Sequence, residues 1–395
     1  MSARARHVIA ADHVFDGDAV LPDHAVVVEG GRIAAVLPRS EAPADAAVER
    51  LPPGAWLAPG FVDVQVNGGG DRLFNDDPSP DTVAAIAAAH RRFGTTSLLP
   101  TLITDSPDKM RRAIAAVREA MSGNPGILGI HLEGPFISPE RPGVHDSATI
   151  RRPTEDDFSV LTSLGSGSTL VTLAPECVPD GFIRRLAEAG VRVSLGHSMA
   201  TYGETVRALR DGMTGFTHLF NAMRPLASRD PGPIAAALET PGCWYGLIAD
   251  GLHVHPAMLR LALRGAGRAM LVTDAMPPVG GRKDSFTLYG ETVAVRNGRL
   301  ARADGTLAGA ALDMASAVRN AVALAGAALP DALRMASRHP AEFLGIADRL
   351  GRLAPGYRAD LVAFMPEDVR VLRTWVAGND GGQSASISRN SASAT

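Results

Sequence analysis

The sequence predicts an α/β fold, in which a TIM (β/α)8 barrel carries a small β-sandwich domain formed by the N- and C-terminal segments. Three observations support this prediction. Between residues 61 and 274, eight apolar strands alternate with helical patterns. Residues 8–58 consist of short β-segments, with a hairpin turn signal at Gly30-Gly31. Residues 351–376 return to β character.

These observations also predict the domain limits. We expect residues 1–58 and 349–380 to form the β-sandwich domain and residues 59–348 to form the barrel. Residues 381–395 are rich in Ser, Ala, Gly and Asn, a composition that buries little apolar surface. We therefore expect this last segment to be a disordered tail.

Each barrel strand is a short, mostly apolar run, and each helix shows apolar residues three or four positions apart. The expected barrel strands are residues 61–66, 95–100, 127–133, 169–176, 191–197, 215–218, 244–250 and 269–274. The expected helices are residues 81–93, 107–121, 180–190, 202–211, 256–265, 312–325 and 329–337. Residues 285–300 predict a hairpin-like insertion with turns at Gly290 and Asn297-Gly298.

The composition is that of an ordinary globular enzyme and excludes several classes. A net charge of −3 gives no reason to expect nucleic acid or an anionic membrane as a partner. No apolar run reaches the roughly 18 residues of a membrane span. Cys177 and Cys243 are too few for a disulfide framework or a cysteine zinc site, which favours a cytoplasmic location. Neither Lys109 nor Lys283 closes a strand, which excludes a lysine Schiff-base aldolase.

Four of the apolar strands end in residues that can carry chemistry, namely Glu133, His197, His218 and Asp274. Strand ends of a barrel meet at one mouth, where such enzymes keep their active sites. Two imidazoles and a carboxylate suit a divalent metal and leave a position for water. Asp274 could then act as general base and acid, although a helix N-cap is an equal alternative. Taken singly, each ligand could also be a satisfied core residue.

Other polar residues lie near the same mouth. His131 shares a strand face with Glu133, and we favour a supporting or packed role for it over that of a ligand. His145, on the loop after the third strand, could polarise a carbonyl or be an idle loop histidine. His253, after the seventh strand, is a candidate for binding a phosphate. Arg224 and Arg229 could bind an anion, but isolated arginines are more often surface residues.

The end of the first strand bears on the number of metal ions. Gln65 and Asn67 stand where a His-x-His metal pair could stand. Amides are poorer ligands than imidazoles for transition metals, so a second ion on this side is doubtful.

The chain resembles the amidohydrolase superfamily and, within it, the family of N-acetylglucosamine-6-phosphate deacetylases. The resemblance runs in order from about residue 8 to residue 378. The matching stretches are Pro59-Gly60-Phe61-Val62-Asp63, His131-Leu132-Glu133-Gly134-Pro135, Gly196-His197-Ser198, Thr217-His218-Leu219-Phe220-Asn221-Ala222-Met223, Asp250-Gly251-Leu252-His253, Val272-Thr273-Asp274 and Leu307-Ala308-Gly309.

The resemblance implies roles for these residues. It implies one divalent metal cation per subunit, held by Glu133, His197 and His218, because members with Gln-x-Asn on the first strand hold one ion. Zinc is the expected metal, with iron, manganese and cobalt as alternatives. It also implies that Asp274 is the catalytic acid and base and that His145 polarises the carbonyl. The implied substrate contacts are Val144, His145, Asn221, Ala222, Asp250, Gly251, Leu252, His253, Leu307, Ala308 and Gly309.

The resemblance also implies the reaction and the assembly. The expected activity is metal-dependent hydrolysis of the acetamide of N-acetyl-D-glucosamine 6-phosphate to D-glucosamine 6-phosphate and acetate, in amino-sugar metabolism or cell-wall amino-sugar recycling. Arg229 is expected to bind the sugar phosphate of a neighbouring active site, which implies a homodimer.

Two other functions agree less well with the sequence. A cyclic-amide hydrolase, such as a dihydroorotase-like enzyme, would favour His-x-His and usually a strand lysine, both of which are missing. A non-catalytic scaffold of the same fold would lack one or more of the metal and acid residues, all of which are present here.

Overall fold

The computed structural model describes residues 6–43, 46–296 and 298–382. In chain order the strands β1 to β20 are Arg6–Phe15, Val20–Glu29, Arg32–Pro38, Ala47–Arg50, Trp56–Pro59, Phe61–Val66, Gly68–Gly69, Arg72–Leu73, Thr95–Ile103, Gly129–Glu133, Ser168–Leu173, Arg192–Leu195, Gly215–Phe216, Trp244–Leu247, Arg268–Leu271, Ser285–Leu288, Glu291–Arg296, Arg299–Ala301, Leu361–Met365 and Arg370–Trp375. The helices α1 to α10 are Pro80–Arg91, Pro107–Gly123, Glu155–Leu161, Phe182–Glu188, Tyr202–Arg210, Gly232–Glu239, Pro256–Ala262, Met314–Ala325, Leu329–Ala336 and Arg338–Leu344.

Eight parallel strands form the barrel in the order β6-β9-β10-β11-β12-β13-β14-β15. The barrel closes between its first and last strands just beyond their ends. There the N–H of Asp274 donates to the Gln65 carbonyl oxygen at 3.0 Å, and the N–H groups of Asn67 and Gly68 both donate to the Ala275 carbonyl oxygen. Parallel strands bring all eight carboxyl ends to one mouth. The predicted barrel is confirmed.

Local sequence explains where the barrel helices begin. Ser79 and Ser106 cap α1 and α2, each followed by a proline at the first helical position. Thr201 and Glu204 form a capping box at the start of α5. Three helices were missing from the prediction, namely α3, α6 and α10. Each is seven or eight residues long, which is too short for a clear apolar period.

Strands from both ends of the chain form a second sheet, in the order β20-β19-β5-β1-β2-β3, with β4 also paired to β1. Alternate residues of β1 enter different apolar clusters, Val8 and Ala10 on one face and Ile9 and Ala11 on the other. The predicted fold class, with a small β part built from both terminal segments, is therefore confirmed. The domain limits stay a prediction, and residues 383–395 of the predicted tail lie outside the described residues.

The predicted hairpin-like insertion is a three-stranded antiparallel sheet, β16-β17-β18. Asn297 of its predicted second turn lies outside the described residues. The apolar side of the sheet packs on the barrel mouth, because Leu288, Val293 and Leu300 share a buried cluster with Val144 and Met276. None of the helices in the described part of the chain combines the length and apolarity needed to cross a membrane.

Candidate active site

Glu133, His197 and His218 converge at the barrel mouth. The Oε1 atom of Glu133 lies 3.2 Å from His197 Nε2 and 2.9 Å from His218 Nε2. The two Nε2 atoms are 3.1 Å apart. Burial alone would raise the pKa of Glu133, but the two neighbouring imidazoles outweigh burial and hold that pKa well below its usual range. The three side chains thus present one oxygen and two nitrogens to a common point.

This donor set fits a divalent cation. Ligand atoms about 2.0–2.1 Å from a tetrahedral metal are about 3.3–3.4 Å from one another, close to the three separations seen here. His197 Nδ1 lies 2.8 Å from the carbonyl oxygen of Arg141. Because a carbonyl oxygen can only accept a hydrogen bond, His197 Nδ1 carries the proton. The lone pair of His197 is then on Nε2, which faces the cluster. His218 Nδ1 is buried and finds no partner among the described residues.

The backbone turns sharply at three of the four predicted residues. His197, His218 and Asp274 have φ angles of 48°, 32° and 50°, a left-handed region that side chains other than glycine rarely adopt. This conformation ends a strand, so these residues lie two or three positions beyond β12, β13 and β15 instead of inside them. Glu133 alone is the last residue of its strand. The turns direct side chains into the mouth.

Asp274 is held by two amides of the first barrel strand segment. Its Oδ1 accepts from Asn67 Nδ2 at 2.6 Å and from Gln65 Nε2 at 3.2 Å. Gln65 Nε2 also donates to Glu133 Oε2 at 3.2 Å. Burial and the nearby Glu133 carboxylate raise the pKa of Asp274 to about 6. No helix begins directly after Asp274, because the next helix in the described part of the chain is α8 at Met314, so the N-cap alternative is wrong.

His145 lies against the cluster. It is buried and contacts other side chains, so it is not an exposed loop histidine. It is 5% exposed, and its ring centroid is 4.3 Å from that of His197. Its Nδ1 is 2.6 Å from the hydroxyl oxygen of Thr104. Burial, with His197 alongside, lowers the pKa of His145 well below its usual value. The neutral imidazole is therefore favoured at pH 7, and the ring lies on the wall of the cavity described below.

His131 does not reach the cluster. Its Nδ1 is 3.0 Å from the Val64 carbonyl oxygen, and its Nε2 is 2.7 Å from the Thr172 hydroxyl. That hydroxyl continues to Thr217, the residue before His218, at 2.6 Å. Burial lowers the pKa of His131 to about 4. These contacts agree with the expectation that His131 supports the site and is not a metal ligand.

A cavity of about 400 Å³ opens over these residues. The predicted residues on its wall are Glu133, Val144, His145, His197, His218, Asn221, Ala222, His253, Asp274, Leu307 and Gly309. The wall also contains residues that the sequence did not indicate, which are Ile103, Glu140, Arg141, Pro142, Gly143, Ile248, Met276 and Thr306. Most of these come from the loop after β10 and from positions just beyond strand ends, where no sequence pattern marks a contact.

Other predicted contacts lie behind the wall. Asp250 accepts from His253 Nδ1 at 2.6 Å and from the backbone N–H groups of Leu252 and His253. It therefore orients His253 toward the cavity. Ala308 is fully buried, and its N–H donates to Leu300 of the insertion. Asp250, Gly251, Leu252 and Ala308 are absent from the wall in the described part of the chain.

The two predicted anion-binding arginines differ. Arg224 is occupied by Asp230, whose Oδ2 accepts from its Nε at 2.6 Å, and by the Met199 carbonyl oxygen. Arg229 is exposed on the loop after β13, outside the wall of this cavity, beside the exposed Leu226. Arg229 is thus available to another molecule and is not placed to serve this cavity.

Glu176 is a contact that the prediction missed. It follows β11, and its carboxylate accepts from the Ser198 hydroxyl at 2.8 Å and from the Met199 N–H at 2.6 Å. Both partners follow His197 directly, so Glu176 holds the turn that carries this histidine. The strand-end pattern that singled out Glu133 applies to Glu176 as well and could have found it.

Glu176→Ala is expected to weaken metal binding by about 10–100-fold, as loss of an orienting partner does at other sites. Metal affinity is measured by competition with a chelator of known strength. Glu188→Ala, at an exposed position of α4, is the matched control and should bind metal like the parent chain. Unchanged affinity in Glu176→Ala would show that the turn does not need this carboxylate.

Two family models and several known proteins match most of this chain. The amidohydrolase family model matches residues 56–380, and the NagA composite domain model matches residues 12–52. The N-acetylgalactosamine-6-phosphate deacetylase of a Shewanella species is 45% identical over 83% of this chain and 84% of its own length. The N-acetylglucosamine-6-phosphate deacetylase of Haemophilus influenzae is 36% identical over 91% of this chain and 95% of its own length. The crystal structure of N-acetylglucosamine-6-phosphate deacetylase from Pasteurella multocida superimposes with a TM-score of 0.91 at 37% identity, covering 94% of this chain and 98% of that one.

Proposed function

This chain belongs to the amidohydrolase family, and from that premise we propose that it hydrolyses the acetamide of N-acetyl-D-glucosamine 6-phosphate, giving D-glucosamine 6-phosphate and acetate. One observation carries the proposal. A single cavity brings the Glu133, His197 and His218 cluster together with the amide-held carboxylate of Asp274. Such a pairing suits hydrolysis of an unreactive amide, in which water must lose a proton and the leaving nitrogen must gain one.

Glu133, His197 and His218 would hold one divalent cation, and we propose zinc as this cation. When bound, this cation would supply Lewis acidity toward the attacking water and the substrate carbonyl. Gln65 and Asn67 support a single ion, because their amide nitrogens are engaged as donors to carboxylates. These two side chains occupy the side of the mouth where a second ion would bind.

Asp274 is the proton carrier in this proposal. It takes a proton from the water that attacks the acetamide carbon. It then returns a proton to the sugar nitrogen as the C–N bond breaks, so that the amine leaves and acetate remains. Asn67 and Gln65 both donate to Oδ1 of Asp274, which leaves Oδ2 of Asp274 to carry the proton. A pKa raised by burial suits a group that must both accept and donate near neutral pH.

His145 polarises the substrate carbonyl. In the tautomer that this role requires, the Thr104 hydroxyl donates to His145 Nδ1, which lies 2.6 Å away. His145 would then carry a proton on Nε2 and donate it in a hydrogen bond to the carbonyl oxygen. Val144, Asn221, Ala222, Leu307 and Gly309 would surround the sugar. His253, oriented by Asp250, is proposed to bind the phosphate.

N-acetyl-D-galactosamine 6-phosphate is the second candidate substrate. The 45% identical relative bears the name of that activity, whereas the glucosamine-specific names occur among relatives of lower identity. The two sugars differ only in the configuration of one hydroxyl, so the same acetamide chemistry would serve either one.

Acetate release from four compounds tests the proposal: both sugar phosphates and both unphosphorylated sugars. We expect turnover of at least one phosphate, and a kcat/KM for its unphosphorylated form lower by about 10²-fold or more, since binding of the phosphate is lost. A higher kcat/KM for the galactosamine epimer would transfer the proposal to the second candidate. Preference for an unphosphorylated amide would contradict the roles given to Arg229 and His253.

A homodimer in which Arg229 reaches the neighbouring active site is also proposed, supported by the exposure of Arg229 and Leu226. Arg229→Ala should raise KM by about 10-fold or more with a smaller change in kcat, because a charged hydrogen bond to phosphate is lost. Arg264→Ala is the control and should leave KM unchanged. Arg264 is exposed between α7 and the amino end of β15, whereas the mouth lies at the carboxyl ends of the strands.

Mixing Arg229→Ala with Asp274→Asn subunits distinguishes binding in trans from binding in cis. Mixed dimers would contain one site with both an intact Asp274 and an intact Arg229 from its neighbour. Activity above the sum of the separate variants is therefore expected after subunit exchange. No recovery, in dimers shown to have mixed, would refute the proposed arrangement.

A further inference from the structure

Asp63 is a buried carboxylate that the proposed chemistry does not use. It lies inside the barrel on β6, two residues before Gln65 and on the same strand face, and it is 0% exposed. No cation pairs with it among the described residues. A carboxylate in such a place must be satisfied by hydrogen bonds.

Its hydrogen bonds lead to the residue next to Asp274. Asp63 Oδ2 accepts from the Thr273 hydroxyl at 2.5 Å, and Oδ1 accepts from the Thr273 N–H at 3.4 Å and the Gln65 N–H at 3.1 Å. The Thr273 hydroxyl oxygen in turn accepts from the Ala275 N–H at 3.3 Å. Asp63 therefore holds both the backbone and the side chain of Thr273.

These contacts lie at the closing seam of the barrel. Residues 272–274 belong to no strand, and only single hydrogen bonds continue the pairing there, from the Val272 N–H to Leu247 and from the Asp274 N–H to Gln65. Asp274 itself has a φ of 50°. A non-glycine residue keeps such a conformation only where its surroundings over-determine it. The Asp63–Thr273 link and the bond from the Asp274 N–H to Gln65 are two of the constraints on this turn. A third is the Ala310 N–H, which donates to the Asp274 carbonyl oxygen at 2.9 Å.

We propose that Asp63 is a positioning residue, which acts through Thr273 to fix the turn that aims the Asp274 carboxylate. This inference rests on the proposed role of Asp274 as proton carrier. Asp63, Gln65 and Asn67 then form one inward column of β6 and its extension. The deepest member fixes the backbone beneath Asp274, while the upper two hold its Oδ1.

Thr273→Val tests the link, because valine keeps the shape of threonine and removes the hydroxyl. We expect kcat to fall by about 10–100-fold, as for other orienting partners, with KM within about twofold and metal content unchanged. Thr273→Ser keeps the hydroxyl and should recover most of the activity. An effect of Thr273→Val on KM or metal content equal to its effect on kcat would indicate a general disturbance of the mouth and would overturn the inference.

A double-mutant cycle separates positioning from bulk stability. If Thr273 acts through Asp274, adding Thr273→Val to Asp274→Asn should cost little further activity, measured at high enzyme concentration. An equal loss in both backgrounds would contradict the proposal. If Thr273→Val does not fold, Asp63→Asn tests the same hydrogen bond from its other side. It should likewise lower kcat and leave KM nearly unchanged.

A crystal structure of Thr273→Val beside that of the parent chain gives a readout that does not depend on turnover. We expect the separation of Asp274 Oδ1 and Asn67 Nδ2, which is 2.6 Å here, to lengthen beyond hydrogen-bond distance. An unmoved carboxylate would refute the positioning role even if the substrate proved to be another amide. Absence of acetate release by the parent chain, with a moved carboxylate in the variant, would count against the proposed function alone.

Discussion

Asp274→Asn should lower kcat by about 10²–10⁴-fold while the protein keeps its metal, because the amide cannot carry the proton that the reaction requires. The substitution is nearly isosteric. The new carbonyl oxygen can still accept from Asn67 and Gln65, so the turn at residue 274 should persist. Glu133, His197 and His218 are untouched, so metal content should stay at one ion per chain.

Acetate release and elemental analysis of the same preparation check this prediction. Asp81→Asn, at an exposed position of α1, is the matched control for loss of one carboxylate and should retain full activity. Turnover near that of the parent chain in Asp274→Asn would remove Asp274 from the mechanism. Loss of metal together with turnover would instead make it a ligand.

Removal of the metal by a chelator should lower activity by about 10³-fold or more, since Lewis-acid assistance is worth several kcal/mol. One equivalent of a divalent ion per chain should restore it. The thermal unfolding temperature should also fall, because an ion that binds only the folded state stabilises that state, by about 2.7 kcal/mol when its concentration is 100 times Kd.

Titration with zinc, iron, manganese and cobalt identifies the ions that restore turnover. His218→Ala is the matching variant, and it should resist restoration at ion concentrations that suffice for the parent chain. Full activity in the chelated protein would contradict the metal proposal. A requirement for two ions per chain would contradict the reading of Gln65 and Asn67.

The strand ends were predictable because a barrel obeys a simple rule. Apolar runs that close on Glu133, His197, His218 and Asp274 can be read without any structure, and parallel strands bring such ends together. The amides of Gln65 and Asn67 were also read correctly as side chains at this mouth, where they contact Glu133 and Asp274. Local pattern and topology together therefore fix the centre of the site.

The outer parts of the site could not be predicted in this way. The loop that carries Arg141 touches His197 through a backbone carbonyl oxygen, and any residue type can provide that contact. The left-handed turns at His197 and His218 depend on packing that a linear pattern does not record. Asp63 contacts Thr273, a neighbour 210 residues away in the chain. Such contacts depend on how loops fold over the mouth, and composition does not restrict them.

The second sheet has a consequence for how the protein is made. Leu361 of β19 pairs with Pro59 of β5, so these two partners are separated by about 300 residues of chain. At 5–20 residues per second, the ribosome needs roughly 15–60 s to deliver β19 after β5. During that interval β5 has an open edge and the apolar side chain of Leu57 lacks part of its cover. We expect the barrel to fold first and the nascent N-terminal strands to depend on chaperones until the last strands emerge.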